Sequence, residues 1–229
     1  MLAEPDAVVS QAGGRLPVDS ATLRDAIGAL RPIVEELVRR RPRPRPERLS
    51  GVHNPWGHAA TVGHAWRFLD VCEHPAIVDA VARLIGDDVI LWDAELHLEA
   101  AAYRRFVESG GEGRYWPAEP LAGAVVLVAP LQPERPARAV DLQALGSRDV
   151  AEADPGAPLL VIRYQPATSR FERDPRAPRH RALMQDNPLV NYANRPLWLV
   201  RGEDRAGNDF VTGFSPPVPR WAAAPKENP

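Results

Sequence analysis

The stretch HPAIVDAVARLIGDDVILWDAELHLEAA, residues 74–101, predicts a helix that is followed at once by a strand. Pro75 suits the first turn of the helix, and Gly86 is placed to end it. Between them, apolar side chains recur at three- and four-residue steps: Ile77, Val81, Leu84 and Ile85. In the strand, apolar and polar side chains alternate: Trp92, Ala94, Leu96 and Leu98 against Asp93, Glu95, His97 and Glu99.

Upstream of this stretch, residues 1–18 are expected to form a loose leader. Asp19 and Ser20 can cap a helix, and apolar residues then recur at helical spacing. Pro32 interrupts that pattern and predicts either a kink or two shorter helices. The run RRRPRPRPERLSG, residues 39–51, is basic and rich in proline. It is typical of an extended, solvated surface loop, with contact to an anionic partner as the alternative.

Downstream of the stretch, strands dominate. The candidates are residues 122–131, 157–165, 195–202 and 209–215. No internal repeat and no alternation of strands with helices is visible, which argues against a parallel sheet. The order predicts a mainly β protein, with residues 19–229 as one domain in which N-terminal helices support an antiparallel barrel or sandwich.

Composition excludes several classes of function. The 229 residues are 45% hydrophobic and 25% charged, as in ordinary globular proteins, and the net charge of -2 favours neither nucleic acid nor an anionic membrane. No apolar run has the roughly 18–20 residues of a membrane helix. The N-terminal segment lacks the plan of a signal peptide, and Cys72 is the only cysteine, so a cytoplasmic location is expected. The oligomeric state stays open.

Three motifs in order carry a family resemblance. HPAIVDAVARLIGDDVILW is followed by GRYWPAEPLAGAVVLVAPL, residues 113–131, and then by DPGAPLLVIRY, residues 154–164. Over about residues 74–183 this order resembles the phytanoyl-CoA dioxygenase family of iron(II)/2-oxoglutarate oxygenases. The resemblance implies a double-stranded β-helix, that is, a jelly-roll or cupin-like barrel with N-terminal helices packed on one sheet.

The iron ligands that the resemblance implies are missing. The family's His-x-Asp motif would fall on Gly110, Gly111 and Glu112, so a residue without a side chain replaces the first histidine. The second histidine would fall near Ala167 or Thr168. The family holds iron with two histidines and one carboxylate. With one carboxylate and no histidine, these positions are not expected to bind iron.

The cosubstrate site also departs from the family. A lysine that often contacts 2-oxoglutarate matches Glu99, whose charge repels a dicarboxylate. Arg179 or Arg181 resembles the arginine that pairs with the cosubstrate carboxylate, but both also fit a solvated arginine-rich loop. We therefore expect no cofactor. Iron(II) and 2-oxoglutarate are expected only if the protein is an active oxygenase with non-standard ligands.

Such ligands could have moved to other positions. His97 and Glu99 have a His-x-carboxylate spacing, and His180 could supply a third ligand. The competing interpretation is that Asp93, Glu95, His97 and Glu99 line a polar interior or a solvated face. If the protein is a catalyst without metal, Glu112, Glu95 and His97 are the candidate acid–base groups.

Aromatic and amide side chains define a candidate substrate pocket. Tyr115 and Trp116 would border the mouth of the barrel, and Asn191 and Tyr192 are candidate polar groups there, although a turn explains the last two equally well. The lining favours a small hydrophobic metabolite as partner. Three hypotheses follow: a barrel reused for small-molecule binding or metal-free catalysis, an active oxygenase with unusual ligands, and an unrelated barrel.

Overall fold

The computed structural model describes residues 14–40, 47–54, 59, 62–186, 192–193 and 195–210. The helices are α1 (Ala21–Gly28), α2 (Arg31–Arg39), α3 (Arg67–Cys72), α4 (Pro75–Ile85), α5 (Ala100–Glu108), α6 (Gly111–Tyr115), α7 (Ser147–Val150) and α8 (Pro178–Asp186). The strands are β1 (Arg15–Val18), β2 (Arg48–Leu49), β3 (Val89–His97), β4 (Ala118–Glu119), β5 (Ala124–Val128), β6 (Ala137–Asp141), β7 (Leu159–Pro166), β8 (Arg170–Phe171) and β9 (Trp198–Arg201). No helix among these residues has the length and apolarity needed to span a membrane.

The predicted helix is confirmed as α4, and the predicted strand is confirmed as β3 up to His97. The prediction that the strand continues to residue 101 is wrong, because Ala100 and Ala101 begin α5. His74 caps α4, because its Nδ1 accepts a hydrogen bond from the backbone N–H of Ala76 at 3.2 Å. The pattern interrupted by Pro32 forms two helices, α1 and α2. Ser20 caps α1 by accepting a hydrogen bond from the N–H of Leu23 at 3.1 Å.

The strands form an antiparallel sheet in the order β1-β6-β5-β7-β3-β2, and β9 pairs with the same edge of β3 as β2. A second sheet consists of β4 and β8. The predicted mainly β class with supporting helices is confirmed. Among the described residues the larger sheet stays open, with β1 at one end and β2 and β9 at the other, so these strands do not close into the expected barrel.

Two segment predictions need correction. Residues 15–18, placed in the loose leader, form the edge strand β1, because Arg15 to Val18 pair with β6. The predicted strand at 209–215 is not seen at residues 209–210, and residues 211–215 lie outside the described part. Residues 41–46 of the basic loop also lie outside it, while the end of that loop pairs with β3 as β2.

The sheet separates two apolar layers. One face packs on α1–α4 through side chains such as Leu91, Ala94 and Leu96. The other packs on α5, α6 and α8 and includes Trp92, which was expected on the apolar face opposite Asp93. A bulge between Leu91 and Asp93 breaks the alternation, so Trp92 joins the polar side chains of β3. All of β3 is buried, so these polar side chains line the interior and not a solvated face.

Trp116 packs directly on the backbone at Gly123. Its Nε1 donates a hydrogen bond to the carbonyl of Ala122 at 3.1 Å. A Cβ atom at Gly123 would lie 2.1 Å from Cζ2 of Trp116 and 2.7 Å from the carbonyl oxygen of Tyr164. Both are buried, so neither can move aside easily. Glycine at this position therefore allows the Trp116 ring to pack into the apolar layer that contains Trp92.

Gly123→Ala is expected to lower the free energy of unfolding by about 1–3 kcal/mol, because the new methyl group overpacks a filled region. Urea denaturation measures the change. Gly113→Ala in α6 is the matched control, since a Cβ atom there meets nothing within 4 Å and alanine favours a helix. Equal stability of the two variants would contradict this packing.

Candidate functional site

The candidate site is a cluster of buried charges around Arg163 of β7. The side chain of Arg163 is 3% exposed. Its Nε and Nη2 donate to the carboxylate of Glu112 at 2.9 and 2.6 Å, in a bidentate pair. Its Nη1 donates to Glu95 at 2.9 Å and to Asp93 at 3.2 Å. One guanidinium group thus joins three carboxylates, from β3 and α6.

Two more arginines complete the cluster. Arg195 forms an ion pair with Asp93, and its guanidinium lies over the ring of Tyr192. Nη1 of Arg48 lies 3.6 Å from Oε2 of Glu95, whose other oxygen accepts a hydrogen bond from Ser50 at 2.9 Å. The three arginines balance the three carboxylates when all six are ionised. Such balance is what makes buried charges tolerable.

The cluster shifts the pKa values of its carboxylates in opposite directions. Burial raises the pKa of Glu95, but attraction by Arg163 and Arg48 outweighs it, so the pKa lies well below its ordinary value. At Asp93, burial together with repulsion by Glu95 exceeds the attraction by Arg195 and Arg163, so its pKa is raised. Glu95 is consequently a weak base.

His97 lies beside the cluster without joining it. Its Nε2 is 3.5 Å from Oε2 of Glu95, longer than a normal hydrogen bond, and its ring contacts that of Tyr103 at 4.8 Å. Burial lowers the pKa of His97, and the nearby carboxylate of Glu95 offsets part of that shift. A neutral imidazole is therefore favoured at this position.

The local chain explains how the charges meet. After the bulge in β3, Asp93 lies opposite Arg163 of β7, and Arg163 interrupts a mostly apolar strand, LLVIRYQP. Gly110 precedes α6 with a φ of +73°, a left-handed conformation that favours glycine. This turn sets the direction of α6 and thereby brings Glu112 over the sheet.

The space left at the cluster is small. Aromatic side chains enclose it, namely Trp92, Phe106, Tyr115, Trp116 and Tyr192, and the cavity measures about 10 Å³. A volume of this size is close to the minimum that holds one water molecule. In this conformation the cavity therefore has no room for a metabolite.

The structure brings some of the predicted site residues together. Glu112, Glu95, Tyr115, Trp116 and Tyr192 all line the same cavity, and His97 lies next to it. Sequence reasoning missed Arg163 and Arg48, which bind those carboxylates. It also missed Arg195, which binds Asp93. The available signal was the single arginine within the apolar strand at residues 159–166.

Other predicted residues lie elsewhere. Arg179 donates to the carbonyl of Ala118 at 2.9 Å and pairs with Glu119, while Arg181 is exposed. Neither lines the cavity. His180 accepts a hydrogen bond from the N–H of Tyr192 at 3.1 Å. Asn191 lies outside the described residues.

The residues present do not fit an iron centre. Glu112, the one matching carboxylate, is bound on both oxygens by the Arg163 guanidinium, whose charge repels a metal cation at this distance. Ala167 is buried in an apolar layer, Thr168 is exposed, and Glu99 is exposed beyond the end of β3. Among the described residues, no three His, Cys, Asp or Glu side chains are arranged to hold a metal ion.

No protein-family model matches the chain, and no curated protein matches it. A solved structure, CytC3, is similar over 85% of this chain and 87% of its own length, with 13% sequence identity and a TM-score of 0.44. At that identity and TM-score, the likeness defines neither a family nor a function.

Proposed function

We propose that the protein is a divergent relative of the phytanoyl-CoA dioxygenase family that acts by binding a small hydrophobic molecule and has no iron-dependent oxygenase activity. One observation carries this proposal: Glu112, the one carboxylate that matches the family's ligand set, is bound on both oxygens by Arg163. The buried charges are already neutralised by one another, so an added Fe²⁺ would be left uncompensated.

The proposed ancestry rests on the order of the three motifs. They occupy α4 and β3, the turn from α6 into β4, and the turn before β7. The finer fold in this proposal is an opened jelly roll, in which β4 and β8 face the larger sheet across the layer that contains Trp116 and Phe171. The order of elements supports common descent, but a shared fold does not define a function.

Metal-free catalysis at the cluster has less support. The pKa of Glu95 lies well below its ordinary value, mainly because Arg163 and Arg48 overcome the effect of burial, and a general base needs a pKa near the working pH. A cavity of about 10 Å³ also leaves no place for a substrate beside Glu112 or His97. Binding of a ligand at a site other than this cavity is therefore the better supported role.

Anaerobic calorimetry with iron(II) and 2-oxoglutarate tests the loss of oxygenase chemistry. We expect no saturable 1:1 binding of the pair and no visible charge-transfer band, because Glu112 is held by Arg163. Specific 1:1 binding of both would overturn the proposal. If binding occurs, His97→Ala decides whether relocated ligands carry it, since loss of binding in that variant assigns the metal to His97.

A further inference from the structure

A larger cavity lies away from the Arg163 cluster, where β5, β6 and β7 meet α7 and the turn after it. It measures about 330 Å³. Ligand pockets usually have volumes of about 300–1,000 Å³. Its lining includes Leu127, Pro136, Arg138, Val150, Glu152 and Leu159. We call it the α7 groove.

The floor of the α7 groove is apolar. Leu127, Val150 and Leu159 present only 6%, 2% and 3% of their surface to solvent, since they belong to the second apolar layer. Ala129 and Ala153 are small side chains that leave the space above this floor open. A hydrocarbon or aromatic ring placed here would bury apolar surface, which favours binding.

The rim of the α7 groove carries two arginines, and a ligand could replace one of the carboxylates that they bind. Arg138 pairs with the carboxylate of Glu152, and Arg135 donates to the backbone carbonyl of the same residue. The Glu152 side chain is 69% exposed, whereas that of Arg138 is 29% exposed. The anion that Arg138 now holds therefore comes from the solvent side and is free to turn away.

The other carboxylate of the groove is not available for exchange. Asp149 is buried, and its Oδ1 accepts from Nε of Arg15 at 2.6 Å. Its Oδ2 accepts from the N–H of Gly146 at 2.8 Å. Asp149 also lies 3.9 Å from Nη1 of Arg138, but its closest cation is Arg15. Arg135 and Arg138 therefore leave the rim with an excess of positive charge once Glu152 moves.

We propose that the α7 groove binds a small carboxylate with an apolar tail. The tail lies on Leu127, Val150 and Leu159, and the carboxylate replaces that of Glu152 on Arg138. The ligand class follows from the apolar floor beside a guanidinium rim, since charge-assisted hydrogen bonds to carboxylates are the strong polar contacts available to arginine. This inference rests on the binding role proposed above and names a site and ligand class for it.

Calorimetric titration with three probes tests the ligand class. Octanoate carries both the tail and the charge, 1-octanol carries the tail alone, and acetate carries the charge alone. We expect saturable 1:1 binding of octanoate and at least tenfold weaker binding of the other two. Octanol binding as tightly as octanoate would overturn the anion contact, and absence of octanoate binding would overturn the site.

Three variants test the location of the probe. Arg138→Met is expected to weaken octanoate binding about tenfold, because a charge-assisted hydrogen bond is lost. Glu152→Gln is expected to tighten it, because the competing carboxylate is removed, and it leaves the core intact. Ala153→Phe fills the groove and is expected to abolish binding.

Exposed residues outside the groove provide matched controls: Arg148→Met and Glu134→Gln should bind octanoate like the natural sequence. Unchanged affinity in both Arg138→Met and Glu152→Gln would overturn the proposed location. Iron and 2-oxoglutarate binding is measured separately, so failure at the groove and failure of the metal-free role give different results.

Discussion

Arg163→Met is expected to lower the free energy of unfolding at pH 7 by about 3–5 kcal/mol, the usual cost of removing one partner from a buried ion network. Methionine fills part of the same volume but leaves Glu112, Glu95 and Asp93 without their shared cation. Urea denaturation followed by tryptophan fluorescence measures the loss, since Trp92 and Trp116 lie beside the cluster.

The stability lost in Arg163→Met should become smaller as the pH falls. Without Arg163, the pKa of Asp93, which burial and Glu95 already raise, rises further, and Glu95 loses the strongest attraction that lowers its pKa. A raised carboxyl pKa destabilises the folded state at neutral pH and ceases to do so as the pH falls through it. The deficit of Arg163→Met relative to the natural sequence should therefore shrink between pH 7 and pH 5.

Arg24→Met provides the control for this experiment. Arg24 pairs with Asp19, but their side chains are 42% and 44% exposed, so the change should cost less than about 1 kcal/mol. Similar losses in both variants, or a deficit independent of pH, would show that Arg163 does not compensate buried carboxylates. Combining Arg163→Met with Glu112→Gln should recover part of the stability, because one buried charge is removed.

The second large effect is expected at His53 on acidification. This side chain follows β2, is 3% exposed and meets the ring of Trp198 edge-on at 6.4 Å. Neither of its ring nitrogens has a hydrogen-bond partner among the residues that the structure describes. Burial, aided by the charge of Arg195, lowers the pKa of His53 to about 3. The folded protein therefore holds His53 neutral.

The direction of the pH effect follows from the difference between the pKa of His53 in the folded and unfolded states. A histidine whose pKa is lower in the folded state contributes stability above its unfolded pKa, near 6.5, and loses it as the pH falls toward the folded value. The expected loss from His53 is about 2 kcal/mol by pH 5. Burial also lowers the pKa of His97, which adds a loss of the same sign.

His53→Leu isolates the contribution of this residue. The variant should be at least as stable as the natural sequence at pH 7.5, because an unpaired buried imidazole is replaced by an apolar group. Its free energy of unfolding should fall less steeply between pH 7 and pH 4.5. His53→Phe serves as a second variant, and parallel pH profiles for all three proteins would contradict the proposed burial of a neutral His53.

Local patterns predicted α4 and β3 because their periodicity extends over complete elements with clear ends, at Pro75 and Gly86. They also placed Asp93, Glu95 and His97 on one face, although the bulge that adds Trp92 to it has no local signature. The helix α6 was missed, since GEGRY has little apolar periodicity and two glycines. Whether the sheet closes into a barrel depends on pairing between strands that are distant in the sequence, and local patterns do not predict such pairing.

Only part of the site could be predicted, because its ion pairs also join residues that are distant in the sequence. Glu112 came from the family register, but nothing near it in the chain points to its partner Arg163, which lies 51 residues away. Asp93 and its partner Arg195 are separated by 102 residues in the sequence. Ion pairs of such separation arise from the fold and leave no spacing motif. The arginine in the apolar strand LLVIRYQP is the exception, because a buried charge requires a partner.

The charge balance around Arg163 makes the proposed departure from an ancestral metalloenzyme hard to reverse by single substitutions. A histidine introduced at position 110 would sit on a backbone with a φ of +73°, while Glu112 would stay bound to the guanidinium. Removing Arg163 first would leave three buried carboxylates without their common partner. Under the proposed ancestry, either first step toward iron binding would cost stability before it gave any activity, so selection against unstable intermediates would disfavour the reversal.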